Sequence, residues 1–335
     1  MAGSQNSIMI WSQYMAARLA AMALTMFDVQ ANLRMARQVG RMMYLLDRKH
    51  RERAENNIAR AFPQFSPHQV QRVTSESFEH FIQLAIEVCH TTRLLSVQSW
   101  PAHIQVHNLA PAIELMNSHR PAIMITGHLG NWEVLGYMLA LFGYDIEAIA
   151  RPIDNPLVND WLVGIRQQKG MKIITKWDAT DRMLSVLSNN GILAFIADQN
   201  AGDKGLFVPF FGKLASTYKS IGLLAMKMQV PVICGYAHRI DRDYQFELGI
   251  SEVIYPEDWA TRRDPLYYIT ARYTRAIENM IRMRPEQYFW MHRRWKSRPA
   301  FERNRRPMPQ SLRRNLEDLP WMDDQLMATI NTATA

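Results

Sequence analysis

The stretch Ile125-Thr126-Gly127-His128-Leu129-Gly130-Asn131-Trp132-Glu133 holds the residue types best suited to chemistry. An imidazole changes charge near neutral pH and can take a proton from a hydroxyl. Glu133 follows His128 by five positions, and on a continuous helix that spacing sets the two side chains about 140° apart, too far round to meet. Gly127 and Gly130 let the chain turn sharply, which leaves His128 on a loop and Glu133 in the first helical turn. A carboxylate on one ring nitrogen fixes the tautomer and supports the imidazolium, and the other nitrogen is then a general base. The competing reading is a structural histidine at a strand-to-helix turn, with Glu133 merely favourable at a helix N-terminus. A helical zinc site needs two histidines four apart, which this stretch lacks, so no metal is expected.

The elements that must position these groups can be read from the apolar pattern. Short apolar runs at 122–126, 145–150, 172–175, 192–197, 232–239 and 245–248 alternate with helical stretches at 132–141, 156–169, 179–189, 216–228 and 265–282. That alternation predicts an α/β fold, a mixed central sheet flanked by helices. The strand-to-helix turn at 127–131 is where open α/β sheets place their sites. Before residue 100 the pattern is helical, with one break at 62–68, where Ser66-Pro67-His68-Gln69 reads as N-cap, first-turn proline and capping-box glutamine. The expected organisation is a membrane-associating helix at 1–32, a helical segment at 33–105, an α/β core at 106–305 and a loosely packed polar tail at 306–335.

Composition bounds the partners. The chain has 335 residues, 48% hydrophobic and 21% charged, which excludes a chain disordered over most of its length. Cys89 and Cys234 fall in no paired motif, so a disulfide framework or thiolate metal site is not expected. Lysine and arginine exceed acids by 39 − 31 = 8, which points to an anionic partner: nucleic acid, a membrane face or an acidic protein. The excess gathers at 34–60, with eight basic residues against three acids, and again at Arg293, Arg294, Lys296 and Arg298.

Residues 8–27 are mostly apolar and about long enough to span a bilayer, yet they include Ser12, Gln13, Arg18 and Thr25. No secretory signal is read there, because a basic leader and a cleavage site are absent. The segment reads as a helix in the membrane interface, with Arg34, Arg37 and Arg41 toward anionic head groups and the rest of the chain on the cytoplasmic side. The alternative is an amphipathic helix packed on the fold.

Taken with other stretches, the His128 turn resembles a known family. Gly127-His128-Leu129-Gly130-Asn131-Trp132-Glu133 is similar to the His-x4-Asp/Glu motif of the lysophospholipid acyltransferase superfamily, and specifically of the lipid A biosynthesis lauroyl and myristoyl acyltransferases. Further stretches match in order: 53–63, 150–156 (with Arg151), 197–202, 207–212 and 288–296. The resemblance implies transfer of a fatty acyl chain, usually from acyl carrier protein, to a hydroxyl of a glycolipid acceptor at the cytoplasmic face of the inner membrane. Acyl-CoA donors or another lipid acceptor remain the alternatives. It implies no cofactor, and a nucleic-acid role built on the basic patches with Trp295 as stacking group would leave the His128 turn unexplained.

By position, the resemblance makes His128 the base and Glu133 its orienting partner, and it sets Arg166 and Asp198 at further substrate-binding positions; Arg151, ahead of Pro152, is a similar candidate for the acceptor's anionic groups. A guanidinium at Arg166 offers permanently charged donors to a phosphate or a thioester oxyanion. Asp198, at a strand end, can hold Arg166 or a loop amide, or cap its own turn. Phe207 to Phe211 form either a wall for the acyl chain or ordinary core. Two features depart from the family: residues 8–27 are less apolar than its usual anchor, and Asp198-Gln199-Asn200 stands where Asp-x-Asp is common.

Overall fold

In the computed structural model, which describes residues 7–332 apart from 151, 169 and 176–178, four helices precede the first strand. They are α1 (Ser7–Thr25), α2 (Val29–Leu46), α3 (Arg48–Ala61) and α4 (Pro67–Leu94). Their starts follow the local chemistry. Asp28 accepts the amides of Gln30 and Ala31 at 2.9 and 3.2 Å. Ser66 and Gln69 exchange side-chain and backbone bonds as a capping box, with Pro67 in the first turn. Helices α2 and α4 approach closely at Gly40, where a Cβ would run into the backbone of Glu79.

The α/β part then runs β1 (Ile104–His107), α5 (Ala110–Asn117), β2 (Ala122–Thr126), α6 (Trp132–Leu141), β3 (Ile146–Ala150), α7 (Pro156–Gln167), β4 (Lys172–Thr175), α8 (Ala179–Ser188) and β5 (Ile192–Ile196). It continues with β6 (Leu206–Phe210), β7 (Lys213–Thr217), α9 (Ser220–Met228), β8 (Val232–Arg239), β9 (Phe246–Ile254), α10 (Pro256–Ala260), α11 (Pro265–Met283) and three short helices, α12 (Ala300–Arg303), α13 (Gln310–Glu317) and α14 (Asp324–Thr332).

The main sheet has the order β1-β9-β8-β2-β5-β3-β4, parallel throughout except between β8 and β9. It is the mixed, mainly parallel sheet that the alternating pattern implies, with helices packed on it. Strand β2 is central and buried along its length. Successive side chains leave a strand on opposite faces. Ile123 and Ile125 accordingly join the core around α11, and Ala122 and Met124 join the cluster under α5 and α6. Burial of each isoleucine contributes about 1.5–3 kcal/mol over exposure.

Two segments depart from the pattern. The helix expected from residue 216 begins instead at Ser220, because 213–217 is a strand that pairs with β6 across a turn at Phe211-Gly212, both at positive φ. The Phe210 and Phe211 rings pack with Trp295, Trp290 and Phe62, so this cluster is core. The segment expected to be a loose tail is packed instead: Leu316, Leu319 and Ile330 are buried in the main core.

Helix α1 lies against α7 and α4. Asn155 donates to Ile10 O at 3.0 Å, and Arg93 donates to Thr25 O at 2.6 Å. The Arg18 guanidinium sits over Trp161 at 5.4 Å, so this charge faces the fold. Trp11, Met15, Leu19, Met22 and Met26 are exposed and recur every three or four residues, which sets them on one face. Among the described residues, no helix is long and apolar enough to cross a membrane.

Candidate active site

Strands β2 and β5 are parallel neighbours, paired Thr126 with Ile196. Two residues past each strand end, that register brings His128 beside Asp198. His128 Nδ1 lies 2.7 Å from Asp198 Oδ1, and the His128 amide donates to Asp198 Oδ2 at 3.0 Å. A carboxylate only accepts, so Nδ1 carries the proton and Nε2 is the nitrogen open to a substrate proton. Asp198 is buried and the His128 side chain is 20% exposed. Burial opposes charge on the ring, but the Asp198 carboxylate outweighs it and holds the His128 pKa above the ordinary histidine value. Burial likewise opposes charge on Asp198, yet His128 keeps its carboxyl well below the usual range.

The orienting contact expected from Glu133 is therefore made by Asp198. Glu133 pairs instead with Arg166: Nε donates to Oε2 at 2.8 Å and Nη2 to Oε1 at 2.5 Å. The reason is geometric. Glu133 leaves the first turn of α6 toward α7, whereas strand register alone brings residue 198 to residue 128. The Glu133 charge still favours the imidazolium, more weakly than Asp198 does. Of the three readings of Asp198, the contact found is with a loop amide, that of His128, and not with Arg166. Arg151 lies outside the described residues.

The loop between β2 and α6 is fixed from behind. Gly130 has φ +53°, and a Cβ there would collide with the carbonyl oxygen of Ala237. Its amide donates to Gln287 O at 2.9 Å, and its carbonyl accepts from His80 Nε2 at 3.0 Å. Asn131 caps α6 by accepting the Val134 amide at 2.9 Å, and its Nδ2 donates to Glu87 at 2.7 Å. Glu87 is in turn ion-paired with Arg239, and both are buried. Glu87, Arg239 and His80 belong to none of the motifs in the sequence. The available signal was a charge inside an apolar run, Leu84-Ala85-Ile86-Glu87-Val88-Cys89, and another ending strand β8.

Aromatic rings close the other sides. Trp132 meets the His128 ring edge-on at 5.0 Å, and His292 lies 6.4 Å away, perpendicular. His292 Nε2 is 3.1 Å from Tyr288 Oη, and burial first of all pushes the His292 pKa down to about 4, so this second ring is neutral at pH 7. Past Trp132 an apolar pocket of about 80 Å³ runs between α6 and the sheet, lined by Met124, Thr126, Leu135, Gly136 and Met171. An apolar groove of about 360 Å³ between α1, α4 and α7 is lined by Ala17, Leu24, Phe81, Leu84 and Trp161. Trp132, Glu133 and Arg166 line both spaces. Among the described residues, no group of three His, Cys, Asp or Glu is placed to hold a metal ion.

The basic segment near residue 295 divides. Arg294 is 1% exposed and donates to Ser216 O at 2.6 Å and Thr217 Oγ1 at 2.7 Å. Arg298 is paired with Glu302, and Trp295 is buried against Phe210 and cannot stack on an external base. Arg293 and Lys296 remain exposed.

Comparison with known proteins agrees with the resemblance read from the motifs. The profile of the family described as bacterial lipid A biosynthesis acyltransferase matches residues 5–297. A lipid A biosynthesis lauroyltransferase of Escherichia coli (strain K12) is 28% identical over 153 residues, 45% of this chain and 48% of that protein. The chain thus matches about half the length of that relative. A lipid A biosynthesis acyltransferase of Haemophilus influenzae is 24% identical over 250 residues, 73% of this chain and 75% of that protein. A lipid A biosynthesis palmitoleoyltransferase of E. coli is 23% identical over 271 residues, 79% of this chain and 85% of that protein.

Proposed function

Because the chain belongs to the bacterial lipid A biosynthesis acyltransferase family and is thereby an acyltransferase, we propose that it moves a fatty acyl group from an acyl carrier protein thioester to a hydroxyl of a lipid A precursor. The observation that carries this reading is the 2.7 Å contact that pins His128 Nδ1 to Asp198 and leaves Nε2 as the base. His128 Nε2 takes the hydroxyl proton as the oxygen attacks the thioester carbonyl. The carbon–sulfur bond then breaks, and the imidazolium returns the proton to the departing thiolate. The products are an ester and a free thiol, with no acyl-enzyme and no cofactor.

The other groups bind and orient. Glu133 takes two of the five N–H groups of Arg166, so the guanidinium is held with the rest available to the thioester oxygen or an acceptor phosphate. The apolar spaces on either side of that pair accept hydrocarbon. The exposed apolar face of α1 supports attachment to the inner membrane from the cytoplasmic side, with Arg34 and Arg41 of α2, also exposed, toward anionic head groups. Exposed Arg293 and Lys296 suit an acidic carrier protein.

The test is transfer of labelled acyl chains from acyl carrier protein, and separately from coenzyme A, to a total lipid extract. Wild type is expected to label one glycolipid with the carrier-protein donor, and His128→Ala to lose roughly a hundredfold or more. Labelling with coenzyme A alone would overturn the donor assignment, and no labelling with either would overturn the reading.

A further inference from the structure

The alternation along β2 sets Thr126, Met124 and Ala122 on the face that α6 covers, so the inner apolar pocket runs back along this strand from the His128 loop. Met124, Leu135 and Leu139 line it. The same three side chains line a second apolar chamber of about 410 Å³, bounded farther out by Trp100, Val106, Leu109, Ile113 and Phe142. The two spaces are thus separated by a wall one side chain thick.

We propose that this chamber receives the distal end of the acyl chain, and that Met124 with Leu135 and Leu139 forms a yielding partition that the chain displaces. The inference rests on the acyl-transfer reading above. Three observations support it. The chamber adjoins the pocket lined by Trp132, whose ring meets that of His128, and has no charged residue in its own lining. Met124 is unbranched, with three rotatable bonds, so it can change rotamer without moving the strand. The rim leaves large apolar side chains in water, with Val106 56%, Phe142 41% and Ile113 38% exposed, the kind of surface that marks a ligand groove. Each further methylene buried there strengthens binding by about fourfold, so occupancy is felt by long chains and not by short ones.

The experiment is kcat/KM for a series of acyl thioesters from decanoyl to stearoyl, in wild type and in Val106→Trp and Ile113→Trp. Both substitutions fill the chamber from its solvent rim, at residues that do not line the inner pocket, and thermal unfolding checks that the fold is retained. The filled variants are expected to lose about tenfold or more on the longest chain that wild type uses, with decanoyl transfer unchanged. Met124→Ala, which thins the partition, is expected to favour longer chains. A chain-length profile unmoved by filling, or an equal loss at every length, would overturn the proposal while transfer itself survives. Weaker vesicle binding with an unmoved profile would overturn it too and assign the chamber to membrane lipid. If wild type transfers none of the chains, the acyl-transfer reading fails, and this inference with it.

Discussion

Both carboxylate oxygens of Asp198 are occupied by one residue, His128: Oδ1 by the ring and Oδ2 by the backbone amide. One buried group therefore fixes the imidazole tautomer and the path of the loop together, and the pairing of β2 with β5 fixes the group itself. A side chain that served only as a turn cap would not reach the ring.

Replacement of Asp198 is accordingly expected to damage chemistry more than binding. Asp198→Asn keeps the volume but offers one acceptor for two donors. A fall in kcat of roughly a hundredfold or more is expected, with KM little changed. The His128 amide left unpaired adds a stability loss of about 1–3 kcal/mol, read by denaturant unfolding.

The pH dependence has a definite sign. His128 works as a base only when neutral, and Asp198 raises its pKa. The acid limb of kcat is therefore expected at a pH above the free-histidine value of about 6.5. In Asp198→Asn the limb moves to lower pH as the support for the imidazolium is lost. A profile flat from pH 5 to 9 in wild type would remove His128 as the base.

Glu133→Gln separates the two carboxylates. Glu133 holds Arg166 and reaches His128 only through space. Its loss is expected to raise KM for the donor or acceptor, with a smaller shift of the acid limb than Asp198→Asn gives. An equal shift in the two variants would return the orienting role to Glu133.

Arg294→Ala and the double variant Arg293→Ala/Lys296→Ala test the basic segment. Arg294 is fully enclosed by its bonds to Ser216 and Thr217. Its removal is expected to lower stability by about 1.5–3 kcal/mol, on the scale of a hydrogen bond to a charged group. The exposed pair should instead leave stability unchanged and raise KM for acyl carrier protein in a salt-sensitive way.

The strand ends at Thr126 and Thr175, the helix beginning at Trp132 and the capping box at Ser66 were legible because each rests on a local pattern of apolar spacing or capping chemistry. His128 was legible for the same reason, since its two glycines and the preceding strand are contiguous. Its partner was not. Asp198 lies 70 residues away, and only the register of two strands brings it to the ring, so chain proximity favoured Glu133. The hairpin of β6 and β7 was hidden because Pro209 and the polar end of β7 disguise the alternation. Arg294 looked like surface charge because sequence does not show that the end of β7, through Ser216 and Thr217, and the Phe210 ring enclose it.

The most direct measurement is the ¹⁵N NMR titration of the His128 imidazole in wild type and Asp198→Asn. Wild type is expected to show a proton on Nδ1, a bare Nε2 and a midpoint above the ordinary histidine value, falling in the variant. A bare Nδ1, or a midpoint that Asp198→Asn leaves unmoved, would contradict the assignment of His128 as a base held by Asp198.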